Sequence, residues 1–423
     1  MGRETFLAYL APFLDKQRTL ALNQHGNTFM RNRTYITAAM ALVLSCACAY
    51  QPRTAHKPLP TDEKPPTSKE ESVVVPPVLN EENTLSAENF AGRVVAAGGD
   101  VAFIFEDDRA FSQCHASTIT QAADGTLIAA WFAGTEEKHP DVGIWMSRRV
   151  EGDWTPPYLA KKVDNTAHWN PVLFTDKEET VHLFFKVGPE IPHWRTYWMS
   201  SEDNGASWTE ARELVPGDAG GRGPVKNKPI ILSDGSWLAP ASTEYQRWES
   251  FADRSVDRGK TWQRSANFEI DRQTLRGQGA IQPTFWESGP GRVHALLRTG
   301  AGRVWRADSS DYGATWSSVY DTGLPNNNSG LDALFLEDGR LLLVLNPVGV
   351  NWGPRTPLSL AVSHDNGATW RLAAHFEDDP IQSRHEYSYP AIIRTRDGVA
   401  VSYTWRRERV RCWAIPESAL AEF

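Results

Sequence analysis

The sequence has little cysteine, no basic cluster and no histidine arrangement that is typical of a metal site. It holds four cysteines in 423 residues, and its formal net charge is −8. The absence of any Lys/Arg-rich run, together with this charge, argues against nucleic-acid binding. His139, His168 and His193 match no metal-ligand spacing with Cys114, so we predict neither a metal nor another cofactor. An acidic substrate is not excluded, because local arginines dominate the field inside a cleft.

Two cysteines, Cys114 and Cys412, lie near opposite ends of the part expected to fold. A fold that brings its ends together could join them in a disulfide. Two buried free thiols are the other interpretation, and the one we favour.

The N-terminal segment, residues 1–50, is typical of an export signal. Basic Arg31 and Arg33 precede an apolar run, residues 36–44, and small residues follow it. The run is too short to remain as a membrane-spanning helix. Translation from Met30 would give the signal its usual order. Residues 43–46 resemble a bacterial lipoprotein cleavage site, so lipidation of Cys46 and plain secretion both stay open. We predict an exported protein (periplasmic, outer-membrane lipoprotein or extracellular) that could attach to a membrane only through a lipidated Cys46.

Residues 51–90 are rich in Pro, Lys, Glu, Thr and Ser. Such a segment has too little apolar surface to offset the entropy lost on ordering. We therefore predict a disordered linker between the signal and the folded domain.

A repeated turn motif determines the predicted fold. The pattern Ser-x-Asp-x-Gly-x-x-Trp begins at Ser201, Ser255, Ser309 and Ser363, so each copy starts 54 residues after the previous one. A decayed copy keeps only Ser147 and its Trp. In each motif Asp can accept backbone N–H bonds, Gly can supply a positive φ and Trp can pack the turn onto its sheet. Four copies in one register predict a propeller of repeated blades.

A second repeat marks the starts of short apolar strands. Hairpin turns such as Asp124-Gly125 and Asp338-Gly339 follow most of these starts. They predict an all-β, six-bladed β-propeller over residues 92–423, with residues 94–105 as the outer strand of the last blade, which would close the ring. The six starts are His115-Ala116-Ser117, Asn170-Pro171, Lys228-Pro229, Gln282-Pro283, Ser329-Gly330 and Tyr387-Ser388-Tyr389-Pro390.

The inner strands of a propeller converge on its axis, so these starts should form one pocket. The turn motifs and their order resemble the sialidase (neuraminidase) superfamily over about residues 100–415. The resemblance implies three arginines that bind a substrate carboxylate, a tyrosine nucleophile with a glutamate partner, and an aspartate acid/base on a loop. Arg298 and Arg355 resemble the second and third arginines, Tyr387 the nucleophile, and Asp141 the loop aspartate.

Two positions depart from this family pattern. His115 stands where the first arginine is expected, and Gln282 stands where the glutamate partner of the tyrosine is expected. An amide cannot take the tyrosine proton as a carboxylate does. We include both residues in the predicted catalytic set, and we expect Asn170, Lys228 and Glu244 to line the pocket and bind substrate.

These residues leave three functional hypotheses open. The first is an exported glycosidase that removes a terminal acidic sugar, sialic acid or a related one, from glycans. The second is a polysaccharide lyase for uronic-acid glycans, in which His or Tyr removes a proton and Arg neutralises the adjacent carboxylate. The third is a propeller that binds glycans without catalysis. In each case the expected partner is an acidic glycan.

Overall fold

The structure is a computed structural model, and it describes residues 78–423. The predicted export signal, Cys46 and most of the predicted linker lie outside these residues. Within the described part of the chain, neither helix is long and apolar enough to cross a membrane.

Six mainly antiparallel sheets form the blades of a β-propeller, as predicted from the two repeats. The chain enters through β1 (Leu79–Asn80), α1 (Ala87–Ala96) and β2 (Asp100–Phe103). Blade 1 contains β3 (Gln113–Gln121), β4 (Leu127–Gly134), β5 (Gly143–Val150), β6 (Asp153–Trp154) and β7 (Tyr158–Lys161). Blade 2 contains β8 (His168–Thr175), β9 (Val181–Val187), β10 (Arg195–Ser201) and β11 (Arg212–Glu213). Blade 3 contains β12 (Ile230–Ile231), β13 (Trp237–Glu244), β14 (Trp248–Ser255) and β15 (Gln263–Arg264).

The remaining blades complete the ring. Blade 4 contains β16 (Ala280–Gly289), β17 (Arg292–Thr299), β18 (Arg303–Ser309) and β19 (Tyr320–Pro325). Blade 5 contains β20 (Asp332–Phe335), β21 (Leu341–Leu345), β22 (Leu358–Ser363) and β23 (Trp370–Glu377), with β1 added at its outer edge. Blade 6 contains β24 (Tyr387–Thr395), β25 (Gly398–Trp405) and β26 (Arg409–Pro416), and the short helix α2 (Glu417–Leu420) follows it.

The ring closes with the N-terminal strand β2, which pairs antiparallel with β26 as the outer strand of blade 6. This is the closure predicted for residues 94–105. The pairing covers the outer edge of β26, which would otherwise expose unpaired backbone groups. Phe103 of β2 also packs edge-on against Trp405, with 5.1 Å between ring centroids.

The folded part begins before residue 90, where the linker was predicted to end. Ser86 caps α1 by accepting a hydrogen bond from the backbone N–H of Asn89. Phe90 and Val94 are fully buried on the inner face of this helix, and Phe90 stacks on Trp413 at 5.3 Å. The local composition suggested disorder up to residue 90, but these two apolar side chains pack into the core of the propeller and stabilise the helix at residues 87–96.

The repeated turn motif is a closed hydrogen-bonded unit. In the second copy, Ser255 donates to the Asp257 carboxylate at 2.8 Å and accepts from the Gly259 N–H at 2.7 Å. The Asp257 carboxylate also accepts from the Thr261 N–H and hydroxyl, and these bonds hold its pKa down at about 2. Trp262 closes the turn by donating to the Gly259 carbonyl at 3.0 Å. The motif is therefore a structural anchor in blades 2 to 5, which carry its four complete copies.

Candidate active site

A left-handed residue begins the inner strand of every blade at one end of the axis. The backbone φ of these six residues lies between 36° and 91°. In four blades the residue falls within a break in the register between the two inner strands, so the strand bulges there. The six residues are Ala116, Asn170, Lys226, Gln282, Asn328 and Tyr389.

Tyr389 lies at the centre of the candidate site. Its phenol oxygen accepts a hydrogen bond from an Arg298 Nη at 2.9 Å and another from the Gln282 amide at 3.3 Å. The guanidinium carbon of Arg355 lies 5.7 Å from the centre of the Tyr389 ring. The His115 ring lies 4.3 Å from the same ring. Four of the side chains predicted for the site therefore surround one tyrosine.

Arg298 is buried and fixed from several sides. Its Nε donates to the Asn328 side chain at 2.8 Å, and Asn328 in turn donates to Asn351 at 2.9 Å. The guanidinium also lies over Trp248 and the exposed Trp352, at 5.5 and 5.6 Å from their ring centres. None of the described carboxylates forms an ion pair with Arg298. Its charge therefore remains available to a ligand or to Tyr389.

The other arginines of the site already have carboxylate partners. Arg355 donates to Glu386 at 2.6 Å, and Arg407 donates to Glu386 at 3.1 Å and to Glu137 at 2.7 Å. Burial opposes the ionisation of Glu386. The positive charge of Arg355, together with that of Arg407, outweighs this effect and holds the pKa of Glu386 at about 2. A substrate carboxylate at Arg355 would therefore compete with Glu386.

His115 presents a neutral imidazole to the site. Burial lowers its pKa well below the ordinary value, and the nearby Arg407 lowers it further. Its Nδ1 is buried without a hydrogen-bond partner among the described residues and lies 3.9 Å from the Glu386 carboxylate. The ring borders a narrow crevice that Glu136, Glu137 and Arg407 also line. His115 is therefore a neutral polar group packed beside Tyr389.

Gln282 and Glu244 form the opposite wall. The Gln282 oxygen accepts from Arg298 at 3.1 Å, and its amide nitrogen lies 3.4 Å from the Glu244 carboxylate. Burial raises the pKa of Glu244, and the nearby Arg298 offsets this only in part. Glu244 therefore keeps its proton to a higher pH than an ordinary glutamate does, which is the property of a general acid.

Tyr387, the predicted nucleophile, lies in a different set of contacts. It is 1% exposed and donates its hydroxyl to Asp379, with His385 and Arg406 each 3.4 Å away. Burial, and then the bond to Asp379, raise its pKa. None of these partners belongs to the group around Arg298. The structure thus gives Tyr389 the place that the sequence suggested for Tyr387.

Asp141 is also held outside the group around Tyr389. Its carboxylate accepts from the Thr135 N–H and hydroxyl, the latter at 2.7 Å, and pairs with His139 at 2.8 Å. Slight burial opposes ionisation, but the bonds from Thr135 and His139 outweigh it and lower its pKa. The predicted loop does reach the site, but through Glu137, which pairs with Arg407.

The remaining predicted pocket residues have mixed positions. Asn170 is the left-handed residue of blade 2 and is buried. Lys228 instead donates to Asp332 at 2.9 Å and to the Ala333 carbonyl at 3.0 Å. Asp332 also accepts from Thr284 at 2.8 Å and from the backbone N–H of Ile392 at 3.0 Å. Lys228 therefore connects blades 3 and 5 at the axis.

In residues 78–423, no group of three or more His, Cys, Asp or Glu could hold a metal.

Four residues of the site were missed from the sequence: Tyr389, Arg407, Glu386 and Glu137. One signal could have found Tyr389. The left-handed residues Asn170 and Gln282 each precede a proline, and so does Tyr389, whereas Tyr387 does not. No local pattern marks the other three, because Arg407 and Glu137 are 270 residues apart in the chain.

The fold and the axial site place the protein in a class, the six-bladed propellers of the sialidase type. A family model described as "BNR repeat-like domain" matches residues 125–401, and the chain belongs to this family. No curated protein matches the chain.

Solved structures support the same fold at low sequence identity. A Dyadobacter fermentans protein of unknown function is 18% identical, with a TM-score of 0.60 over 75% of this chain and 98% of its own. A Hadza microbial sialidase is 16% identical, with a TM-score of 0.63 over 75% of this chain and 69% of its own. The NanB sialidase from Streptococcus pneumoniae, in a variant form, is 14% identical, with a TM-score of 0.60 over 75% and 71%. The chain thus shares the fold of these sialidases at low sequence identity.

Proposed function

We propose that this protein is a glycosidase that cleaves a terminal acidic sugar from a glycan and uses Tyr389 as its nucleophile. The observation that carries the proposal is the half-buried phenol of Tyr389, which accepts hydrogen bonds from Arg298 and Gln282. A tyrosine nucleophile suits an anionic sugar, because its oxygen, bonded to the Arg298 cation, meets less repulsion from the substrate carboxylate than an ionised aspartate or glutamate would. The sialidases among the structural neighbours make sialic acid the first substrate to test.

The reaction would proceed in two steps. In the first, the Tyr389 oxygen bonds to the anomeric carbon while Glu244 gives its proton to the departing glycosidic oxygen. In the second, water attacks the same carbon, releases Tyr389 and returns a proton to Glu244. Glu244 fits the acid role because burial raises its pKa. Gln282 cannot remove the phenol proton, so Tyr389 would react as a phenolate stabilised by Arg298.

Arg298 would bind the substrate carboxylate. It is a buried guanidinium without an ion-pair partner in the described structure. Its Nε and one Nη already bond Asn328, Gln282 and Tyr389, so the other Nη is the nitrogen left for a carboxylate. Arg355 would add its charge at longer range, because Glu386 already occupies one of its nitrogens. This arrangement supports an acidic sugar bound chiefly through one arginine.

Tyr389→Phe and Tyr387→Phe test the proposal as a matched pair. Tyr389→Phe should reduce kcat on a sialoside or another acidic glycoside at least about 100-fold, because it removes the attacking oxygen. Tyr387→Phe should retain most of the activity. Initial rates measure both variants, and circular dichroism checks that each is folded. If Tyr387→Phe loses activity and Tyr389→Phe keeps full activity, the nucleophile is Tyr387 and the proposal is wrong.

A uronate lyase is the second candidate, and His115 favours it. Its neutral imidazole with an unbonded Nδ1 stands beside Tyr389, so it could remove the proton next to a carboxylate held by Arg298. Incubation with uronate-containing polysaccharides separates the two candidates. New ultraviolet absorbance from an unsaturated uronate would identify the lyase, whereas release of a free acidic sugar without that absorbance supports the glycosidase.

We also propose that the protein is exported, on the basis of the signal-like residues 31–46, which lie outside the described residues. Mass spectrometry of the N-terminus after cell fractionation tests this. A mature chain that begins at a lipidated Cys46 supports a lipoprotein, an unmodified cleaved chain supports secretion, and an uncleaved chain in the cytosol contradicts export.

A further inference from the structure

We propose that Lys226 is a positioning residue for Tyr389: its buried side chain on the axis fixes the turn at Tyr389-Pro390 and stabilises negative charge on the phenol. The inference rests on the proposed role of Tyr389 as nucleophile. Neither Gln282 nor the Lys226 ammonium can accept the phenol proton, but a nearby cation stabilises the phenolate that remains once the proton is lost to solvent.

Lys226 is built into the axis from blade 3. It is the left-handed residue of that blade, with a φ of 91°, and it is 4% exposed. Its Nζ donates to the Asn227 side chain at 2.8 Å, to the Leu331 carbonyl at 2.9 Å and to the Pro390 carbonyl. An ammonium has three N–H groups, and three acceptors surround this one. Its geometry is therefore that of a satisfied buried cation.

The same side chain lies next to the turn of Tyr389. Its Nζ bonds the carbonyl of Pro390, the residue after Tyr389. Lys226 and the Tyr389 ring both approach Gly330: a Cβ placed there would lie 3.0 Å from the Lys226 Cε and 3.5 Å from the ring. The lysine therefore restrains the turn that aims the phenol.

Within residues 78–423, the charge of Lys226 has no ion-pair partner. All three acceptors are neutral oxygens, and the carboxylate that acts on it most, Asp332, is bonded to Lys228, Thr284 and Ile392. The charged groups that face Lys226 are Asp332, Lys228 and Arg298. Burial lowers the pKa of Lys226 to about 7, so the ammonium form is complete well below pH 7.

The charges around Tyr389 differ in whether they are already paired. Arg298 bonds the phenol oxygen, whereas Arg355, near the ring, is paired with Glu386. His115 is neutral because burial lowers its pKa. Removing Lys226 therefore takes away one of the two cations near Tyr389 that have no carboxylate partner in the described structure, in a region where a low dielectric strengthens charge interactions.

The test compares Lys226→Met with Lys186→Met. Lys186 is an equally buried lysine whose pKa burial also lowers to about 7, and its Nζ bonds only the neutral oxygens of Thr196, Gly221 and Arg222. Tetranitromethane nitrates the phenolate form of tyrosine, so peptide mass spectrometry can follow nitration of Tyr389 at a fixed pH below 7, where Lys226 carries its charge. We expect Lys226→Met to slow this nitration about tenfold and Lys186→Met to leave it unchanged.

Kinetics on the acidic glycoside give a second readout. Lys226→Met should lower kcat about tenfold with little change in KM, because Lys226 acts on the nucleophile and not on the substrate. If Lys226→Met does not fold, Lys226→Gln takes its place, since it keeps a donor toward Pro390 and removes only the charge. Unchanged Tyr389 nitration in the folded variant would overturn the inference. Nitration needs no substrate, so slowed nitration in a protein without glycosidase activity would contradict only the proposed function.

Discussion

Tyr387 and Tyr389 stand two residues apart on β24, yet only Tyr389 contacts Arg298 and Gln282. In a regular strand, residues two apart point to the same face, so alternation would place both side chains together. The register of β24 against β25 breaks between Ser388 and Ala391, and Tyr389 has a φ of 54°. The bulge turns Tyr389 toward the axis and leaves Tyr387 with Asp379.

Glu244→Gln tests the proposed acid at the residue scale. A general acid works in its protonated form, so the wild-type rate should fall as pH rises through the pKa of Glu244, which burial raises above the ordinary value. The variant should lose about 100-fold or more in kcat and should lack that alkaline fall. A pH–rate profile measures both effects, with Glu202→Gln on an exposed turn as the control. Superimposable profiles for Glu244→Gln and the wild type would remove Glu244 from this role.

Site residues differ in how far the sequence could predict them. Gln282 contacts both Arg298 and Glu244. Gln282 could be predicted as an inner-strand start and Arg298 through the family resemblance. Tyr389 required knowledge of a bulge, which depends on backbone dihedral angles that no single residue type dictates. The pair of Arg407 and Glu137 required a contact between segments 270 residues apart, which no local sequence pattern reveals.

At the scale of the element, the repeated turn explains why the blades could be counted from the sequence. Its hydrogen bonds join residues at most four positions apart, as in Ser255 to Gly259 and Asp257 to Thr261. A local unit of this kind leaves a fixed spacing in the chain. No repeated spacing in the sequence predicts the N-terminal helix α1, because the contact that stabilises it joins Phe90 to Trp413, more than 300 residues away.

Trp316→Ala tests the turn as a structural element. Trp316 packs on Phe268 and Phe285, with 4.5 and 5.1 Å between ring centres, and donates to the Gly313 carbonyl at 3.0 Å. Its loss should lower the free energy of unfolding by about 3 kcal/mol, the lower end for a Trp-to-Ala change, because the indole is partly exposed. Urea denaturation measures the effect. Trp154→Ala, in the decayed copy, is the control and should cost less, since its indole N–H has no partner in the described structure. Equal losses would show that the complete turn adds nothing.

At the scale of the whole molecule, the two ends of the propeller are joined without a covalent link. Strand β2 pairs with β26, and α1 packs its apolar face on blades 5 and 6. Cys114 of blade 1 and Cys412 of blade 6 belong to one buried cluster with Ile104 and Trp131. Both are free thiols, as favoured from the sequence, and the disulfide that was left open is not formed. Backbone pairing, apolar burial and side-chain hydrogen bonds such as that between Ser117 and Ser402 therefore close the ring in the described structure.

Thiol chemistry on the intact chain tests this closure. Burial raises the pKa of both thiols, that of Cys412 to about 12, so neither should react with iodoacetamide in the folded protein. Both should be alkylated once the chain is unfolded without reductant, and peptide mass spectrometry reads each site. The Tm should be the same with and without reductant, and the same insensitivity is expected for Cys412→Ala, which cannot form the bond. A disulfide across so long a loop would contribute about 5 kcal/mol. A Tm that falls by several degrees on reduction in the wild type, but not in Cys412→Ala, would therefore show that a covalent bond closes the ring.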